Sequence, residues 1–338
     1  MLLSKFPRVR LTPLPTPLEK LERLSKELGV DIYVKRDDVM TLAFGGNKVR
    51  KLEFTLGDAI AKGCDTIVTT GALTSNHARL TAAACRKLGL KLVLVLRGRD
   101  RQFPRKVKGN LLLDYIFGAD IRIADVDKSE IPRVLREVAE ELKGEGYKPY
   151  ILPTGGATPV GVLGYVNACM ELIYQLNERN LEVDYLVHAS GTGGTQAGLV
   201  LGFKAFNTPI KVIGVSEGTP VETLRRKVYD LANEAAKLLD LNVKIDDSDI
   251  VVEGRYMFGG FGVITKEVVD TIKYVARTEG LLLDPIYTAK AMYGLIDMIR
   301  NGEIDKGSKV VFLHTGGTPL IFHLDHEVRE KGEIPSSV

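Results

Sequence analysis

The feature that most restricts this chain is an alternation: short runs of β-branched and aliphatic residues are separated by amphipathic segments long enough for a helix. Strands spaced this way pair in parallel, because a helical crossover is what returns the chain to the same edge of a sheet. The predicted strands are 31–35, 66–70, 91–96, 120–124, 150–153, 185–189, 211–215 and 309–314. Segment 17–28 is predicted helical, since Leu18, Leu21, Leu24 and Leu28 recur at three- and four-residue spacing. The fold class is expected to be α/β.

Four of the runs lead into glycine-rich turns that a helix is expected to follow. They are Thr70-Gly71-Ala72, Thr154-Gly155-Gly156-Ala157, Gly191-Thr192-Gly193-Gly194-Thr195 and Thr315-Gly316-Gly317-Thr318. Each sets backbone N–H groups and the positive end of a helix at the carboxyl edge of a sheet, where open α/β sheets take ligands. One anionic ligand gripped by several strand ends is the expectation.

The sharpest of the four is Ser190-Gly191-Thr192-Gly193-Gly194-Thr195-Gln196-Ala197-Gly198, with an apolar helix expected over 199–206. Glycines let successive N–H groups turn inward and the hydroxyls of Thr192 and Thr195 add donors, so a terminal phosphate fits. No P-loop lysine closes the run, and Gln196 stands where the dinucleotide fingerprint requires glycine. Glu217 closes the next strand, near where dinucleotide enzymes place a ribose-binding acid, so an NAD-dependent dehydrogenase stays as a distant alternative to a small phosphate ester.

Gly45-Gly46-Asn47-Lys48-Val49-Arg50-Lys51-Leu52 reads as a glycine turn opening a helix, with Lys48 at its start. An ammonium beside the positive end of a helix is disfavoured, which lowers its pKa and frees a nucleophilic amine. A lone surface lysine on a basic helix is the bland alternative. A lysine paired with a phosphate nest is what pyridoxal phosphate needs.

Composition narrows the partners. The net charge is +3 over 338 residues, so no basic field is offered to nucleic acid or an anionic membrane. Cys64, Cys85 and Cys169 are isolated, which suggests neither a disulfide framework nor zinc and points to a reducing cytoplasm. No run approaches the length of a membrane span, residues 1–10 lack a signal peptide's apolar region, and no two of the five histidines have metal spacing. Three glutamines, no tryptophan and many Lys and Glu lean toward a heat-adapted source.

Thr16-Pro17-Leu18, Val34-Lys35-Arg36-Asp37-Asp38 and the glycine-asparagine-lysine turn make the chain resemble fold-type II pyridoxal phosphate enzymes, the tryptophan synthase β-like group. Within that group it resembles the 1-aminocyclopropane-1-carboxylate deaminase and D-cysteine desulfhydrase family, from about Phe6 to Phe322. The resemblance implies two open, twisted, mainly parallel sheets flanked by helices. A large domain of residues 1–51 and 160–338 would carry a small inserted domain of 52–159, with the site in the cleft between them. It implies a small amino-acid substrate and a homodimer.

By the same resemblance Lys48 is the Schiff-base lysine and Asn76 hydrogen-bonds the cofactor's phenolic oxygen. Lys51 and the turn Thr192, Gly193, Gly194 and Thr195 hold the phosphate, and Thr315 meets the pyridine nitrogen. Ser75, Asn76 and His77 open a helix and take the substrate carboxylate, although Ser75 could equally be a plain N-cap. Tyr287 matches the family's active-site tyrosine, while His77 and His314 are expected to orient neighbours or pack. Lys48, Ser75 and Tyr287 are the expected catalytic set.

Two departures bear on the reaction. The deaminases resembling this chain have glutamate after the active-site tyrosine and leucine before the last glycine pair, where this chain has Thr288 and Thr315. A carboxylate keeps a pyridine nitrogen protonated and a neutral hydroxyl does not, so the weaker electron sink favours β-elimination, D-cysteine first, over ring-opening deamination. Phe261, in Gly259-Gly260-Phe261-Gly262, replaces a tyrosine and leaves another D-amino acid or a racemase using Lys48 and Ser75 open. A sensor that binds cofactor or amino acid without turnover is the non-enzymatic alternative.

Overall fold

The computed structural model describes residues 3–98 and 107–332. The extreme ends 1–2 and 333–338, assigned above to the large domain, lie outside the described residues. In chain order the elements are β1 (Leu18–Lys20), α1 (Glu22–Leu28), β2 (Asp31–Arg36), α2 (Lys48–Ala61), β3 (Thr66–Ala72), α3 (Asn76–Leu88), β4 (Lys91–Arg97), α4 (Gly109–Ile116), β5 (Asp120–Ala124), α5 (Ile131–Gly144) and β6 (Pro149–Leu152). There follow α6 (Pro159–Glu178), β7 (Tyr185–Ser190), α7 (Gly194–Ala205), β8 (Lys211–Ser216), α8 (Val221–Leu238), β9 (Val251–Glu253), α9 (Lys266–Glu279), α10 (Thr288–Arg300), β10 (Lys309–His314), α11 (Pro319–His323) and α12 (Asp325–Lys331).

The strands form two sheets, of order β1-β2-β10-β7-β8-β9 and β5-β4-β3-β6, and β1 is the antiparallel member. All eight expected strands are present, and the fold is α/β with helices on both sheet faces. That sandwiching explains why strands such as β4 are apolar throughout rather than alternating. Val93 and Val95 pack on Ile131, Leu135 and Leu142 of α5, whereas Leu92, Leu94 and Leu96 pack with Leu52 and Leu56 of α2 and Ala78 of α3. In the larger sheet Val310 and Phe312 face α9 and α10, while Val311 and Leu313 face α6 and α7.

Three local expectations are corrected. Residues Leu18–Lys20 form a strand rather than the start of a helix, because Leu18 pairs with Lys35 at the sheet edge and the helix begins at Glu22. Gly71 and Ala72 belong to β3 and not to a turn; a side chain at Gly71 would lie 2.5 Å from Ser75, so glycine lets the following turn fold back on the strand. The helix after β7 begins at Gly194, five residues before the apolar run expected to open it. Its Gly198 and Gly202 permit close packing on α6, where added methyl groups would meet Tyr165 and Cys169 at 2.4 and 2.6 Å.

A buried ionic knot sets α2 in place. Arg50 bonds both Asp37 oxygens at 2.8 Å and both Glu171 oxygens at 2.9 Å. Lys35 Nζ donates to Glu171 at 2.5 Å, to Gln175 at 2.6 Å and to the Thr16 carbonyl at 2.7 Å, while Tyr165 Oη donates to Asp37 at 2.6 Å. The charges balance among groups that solvent barely touches, and they tie β2 and α6 to the first turn of α2.

Candidate active site

The carboxyl ends of β3, β7, β8 and β10 and the first turns of α2 and α3 converge on a cavity of about 1110 Å³. Lys48, Lys51, Ser75, Asn76 and His77 line it from one side. Thr192, Gly193, Thr195, Tyr287 and Thr315 line it from the other.

Lys48 is delivered by the Gly45-Gly46 turn. Gly45 has φ +63°, and a side chain there would stand 2.4 Å from the Asp38 carbonyl. The Asn47 N–H donates to the Thr315 carbonyl at 3.0 Å and Asn47 Nδ2 donates to Thr195 Oγ1 at 3.0 Å, so the lysine turn is laced to the last strand and the phosphate turn. Burial lowers the Lys48 ammonium to about pKa 8, with Asp284 and Glu217 opposing and Arg79 reinforcing the shift. Desolvation thus acts in the same direction as the helix end expected above, at whose first residue Lys48 stands. The Lys48 Nζ lies 5.8 Å from the centre of the Tyr287 ring.

Lys51, one turn along α2, is 1% exposed and its ammonium meets the Gly155 carbonyl at 3.4 Å. Burial, reinforced by the charge of Lys48, pushes its pKa well below the usual lysine range. A Cβ at Gly194, the first residue of α7, would be 3.1 Å from this Nζ. An ammonium thus faces the positive end of a twelve-residue helix, an arrangement that an anion between them resolves. Gly193, at φ +83°, turns the chain into that helix, and a side chain at Gly155 would collide with Thr192 at 2.7 Å. Thr192, Gly193, Gly194, Thr195 and Lys51 fit a phosphate.

Ser75 caps α3, its Oγ accepting from the Ala78 N–H at 3.1 Å. The Arg79 N–H goes to the Ser75 carbonyl, which leaves the N–H groups of Asn76 and His77 for a carboxylate. The His77 side chain is unsuited to that task. Burial, with Lys48 and Lys51 nearby, lowers it to about pKa 3, so the ring is neutral. Thr69 Oγ1 donates to the Leu152 carbonyl and so accepts from His77 Nε2 at 3.0 Å, leaving Nδ1 an acceptor that would repel a carboxylate. His314 is likewise spent, with Nε2 on the Leu282 carbonyl at 2.8 Å and Nδ1 accepting from the Gly316 N–H at 3.2 Å.

Tyr287 ends the turn before α10. Burial, then the charges of Glu217 and Asp284, push its hydroxyl above the usual range and keep it a donor. Phe261 meets it edge-on with ring centres 6.0 Å apart. Thr315 lines the cavity at the end of β10, but the Thr288 hydroxyl does not: it donates to Asp284 Oδ2 at 2.7 Å and accepts from the Asp284 N–H at 2.8 Å.

Lys290, Asn110 and Arg79 escape sequence reasoning, and Glu217, read above only as a rival ribose acid, takes a different place. Glu217 packs in the cavity against Gly191, where an added Cβ would meet its carboxyl at 2.9 Å, and burial raises its pKa. Lys290, on α10, donates to the carbonyls of Glu217, Met257 and Gly260 at 2.8–2.9 Å and so holds the loop bearing Phe261. Asn110 and Arg79 stand behind Asn76. None sits in a recognisable motif; each acts through contacts that the tertiary fold creates. Among the described residues no metal-binding cluster occurs and no helix is long and apolar enough to cross a membrane.

Residues 9–316 match the model of the family described as "Pyridoxal-phosphate dependent enzyme". A Pyrococcus abyssi protein, provisionally named a 1-aminocyclopropane-1-carboxylate deaminase, is 50% identical over 97% of both chains. A Klebsiella pneumoniae D-cysteine desulfhydrase is 40% identical over 95% of this chain and 97% of its own. The crystal structure of a homologue of 1-aminocyclopropane-1-carboxylate deaminase, 45% identical, superposes with a TM-score of 0.90 over 97% of each chain.

Proposed function

The chain belongs to the pyridoxal-phosphate dependent enzymes, in the branch that holds 1-aminocyclopropane-1-carboxylate deaminases and D-cysteine desulfhydrases, and on that footing we propose that its reaction is β-elimination from D-cysteine. It is a lyase of that group and pyridoxal phosphate is its cofactor. The net change is D-cysteine plus water to pyruvate, ammonia and hydrogen sulfide. The observation that carries the choice is Thr315: the residue that lines the cavity at the end of β10 carries a neutral hydroxyl and no carboxylate, and the Thr288 hydroxyl is committed to Asp284.

Pyridoxal phosphate, when bound, supplies the electron sink for the pair left on Cα as its proton departs. Lys51 and the 192–195 turn would hold its phosphate, Asn76 would donate to its phenolic oxygen, and Thr315 would meet its ring nitrogen. The Asn76 and His77 N–H groups, with Ser75, hold the substrate carboxylate. Lys48 Nζ, with its pKa near 8, is poised to take the Cα proton at neutral pH. Tyr287, kept protonated, supplies a hydrogen-bond donor for the departing thiolate. We place the enzyme in the cytoplasm as a homodimer.

Sulfide and keto acid measured with D-cysteine, L-cysteine and 1-aminocyclopropane-1-carboxylate decide the matter. Sulfide and pyruvate from D-cysteine are expected. Ammonia and 2-oxobutanoate from the cyclopropane with no sulfide from either cysteine would replace this reading by the deaminase.

A further inference from the structure

Taking Asn76 as the partner of the cofactor's phenolic oxygen, which rests on the proposed function, the structure explains how its amide is aimed. An amide has an acceptor at one end and donors at the other, and its partners decide which end faces a site. Asn110, on α4, is fully buried behind Asn76. Its Nδ2 donates to the Thr74 carbonyl at 2.7 Å and to Asn76 Oδ1 at 2.8 Å. A backbone carbonyl only accepts, so Thr74 fixes which end of the Asn110 amide points this way, and both N–H bonds are then spent.

Arg79 supplies a second donor to Asn76 Oδ1 at 3.4 Å and is itself anchored on the carbonyls of Ala43 and Gly45, in the turn that delivers Lys48. Neither a guanidinium nor an amide nitrogen accepts a hydrogen bond. Asn76 Oδ1 is therefore held back from the cavity, and Nδ2 is left to face it. Asn110 does not line the cavity. Its Oδ1 is buried without a partner among the described residues, a cost that an apolar side chain would not carry. The two donated bonds, rather than packing, account for an asparagine here.

We infer that Asn110 is a positioning residue for the cofactor: by holding Asn76 Oδ1 it turns the Asn76 amide nitrogen toward the cavity, as the donor an anionic phenolic oxygen requires. The reversed amide would set one acceptor against another.

The test uses the full chain titrated with pyridoxal phosphate. Asn110→Leu keeps the γ-branching and removes both donors; Asn110→Ser, smaller and polar, answers the objection of overpacking. Affinity and the pH midpoint of the visible absorption are read for both, for Asn76→Ala, and for Asn76→Ala/Asn110→Leu. Each Asn110 variant is expected to bind cofactor about tenfold or more weakly and to move the midpoint in the same direction as Asn76→Ala. The double variant should be no worse than Asn76→Ala, because Asn110 acts through Asn76. An unmoved midpoint, or losses that add in the double variant, overturns the inference while cofactor uptake by the parent stands. A parent chain that takes up no pyridoxal phosphate brings down the proposed function as well.

Discussion

Replacing Arg50 by methionine tests whether the ionic knot under the site is what seats α2. The change removes five hydrogen bonds, four to the carboxylates of Asp37 and Glu171 and one to Thr16 Oγ1 at 3.0 Å. Breaking a buried pair from one side costs about 3–5 kcal/mol, chiefly through the charge left behind. The low end applies here. Glu171 keeps Lys35, and Asp37 keeps the Tyr165 and Thr16 hydroxyls. With about 2.1 cal/mol/K of unfolding entropy per residue, 338 residues give roughly 0.7 kcal/mol/K, so about 3 kcal/mol lowers the melting temperature by about 4 °C. Differential scanning calorimetry at neutral pH reads this directly. Adding Asp37→Asn to Arg50→Met should recover part of the loss, since it removes the stranded charge. The reasoning fails if Arg50→Met melts within about 1 °C of the parent, or if the second substitution simply adds its own cost.

Three further outcomes are expected. Burial alone would raise the Glu171 carboxyl, but bonds and charge from Arg50, then Lys35, take it down to about 2; a depressed acid stabilises the fold above its unfolded value near 4.5, and that contribution is lost as pH falls toward 2. Acid unfolding of Glu171→Gln should therefore depend less on pH in that window, and an unchanged slope would contradict the assignment. The rate at which added pyridoxal phosphate acquires visible absorption should climb with pH until about 8 and then level, while Lys48→Arg gives no attachment; a climb continuing to pH 10 would place the amine outside the buried site. Phe261→Tyr, at a 45% exposed position against the Tyr287 edge, should change stability by less than about 0.5 kcal/mol yet alter the ratio of rates on D-cysteine and 1-aminocyclopropane-1-carboxylate; an unchanged ratio would remove Phe261 from substrate selection.

What was legible in the sequence was whatever repeats locally. The eight strand runs and the 190–198 turn announce themselves by composition, because strands covered on both faces must be apolar and phosphate turns must contain glycine. β1 was not legible: Leu18 and Leu21 suit a helix as well as a strand, and pairing with β2 decides the matter. β9, three residues at the far edge, carries too little pattern to stand out. The Lys48 position was readable, but the burial that lowers its pKa was not, since it depends on parts of the chain such as the Tyr287 turn arriving from elsewhere. Asn110 and Lys290 have no motif around them, and what they bond is set by packing between elements far apart in the chain.

The groups that meet in the cleft come from widely separated stretches: Lys48 and Asn76 lie on the amino side of α6, and Thr195 and Thr315 on its carboxyl side. A gene interrupted at the exposed turn that ends α6, at Glu178, Arg179 and Asn180, would divide the cradle itself. One polypeptide would keep the reactive amine and Lys51 and lose the glycine turn of the anion seat, and its companion the reverse. Neither product could hold the cofactor in the cradle by itself, so colour kept through purification on co-expression would report the reunion of the halves.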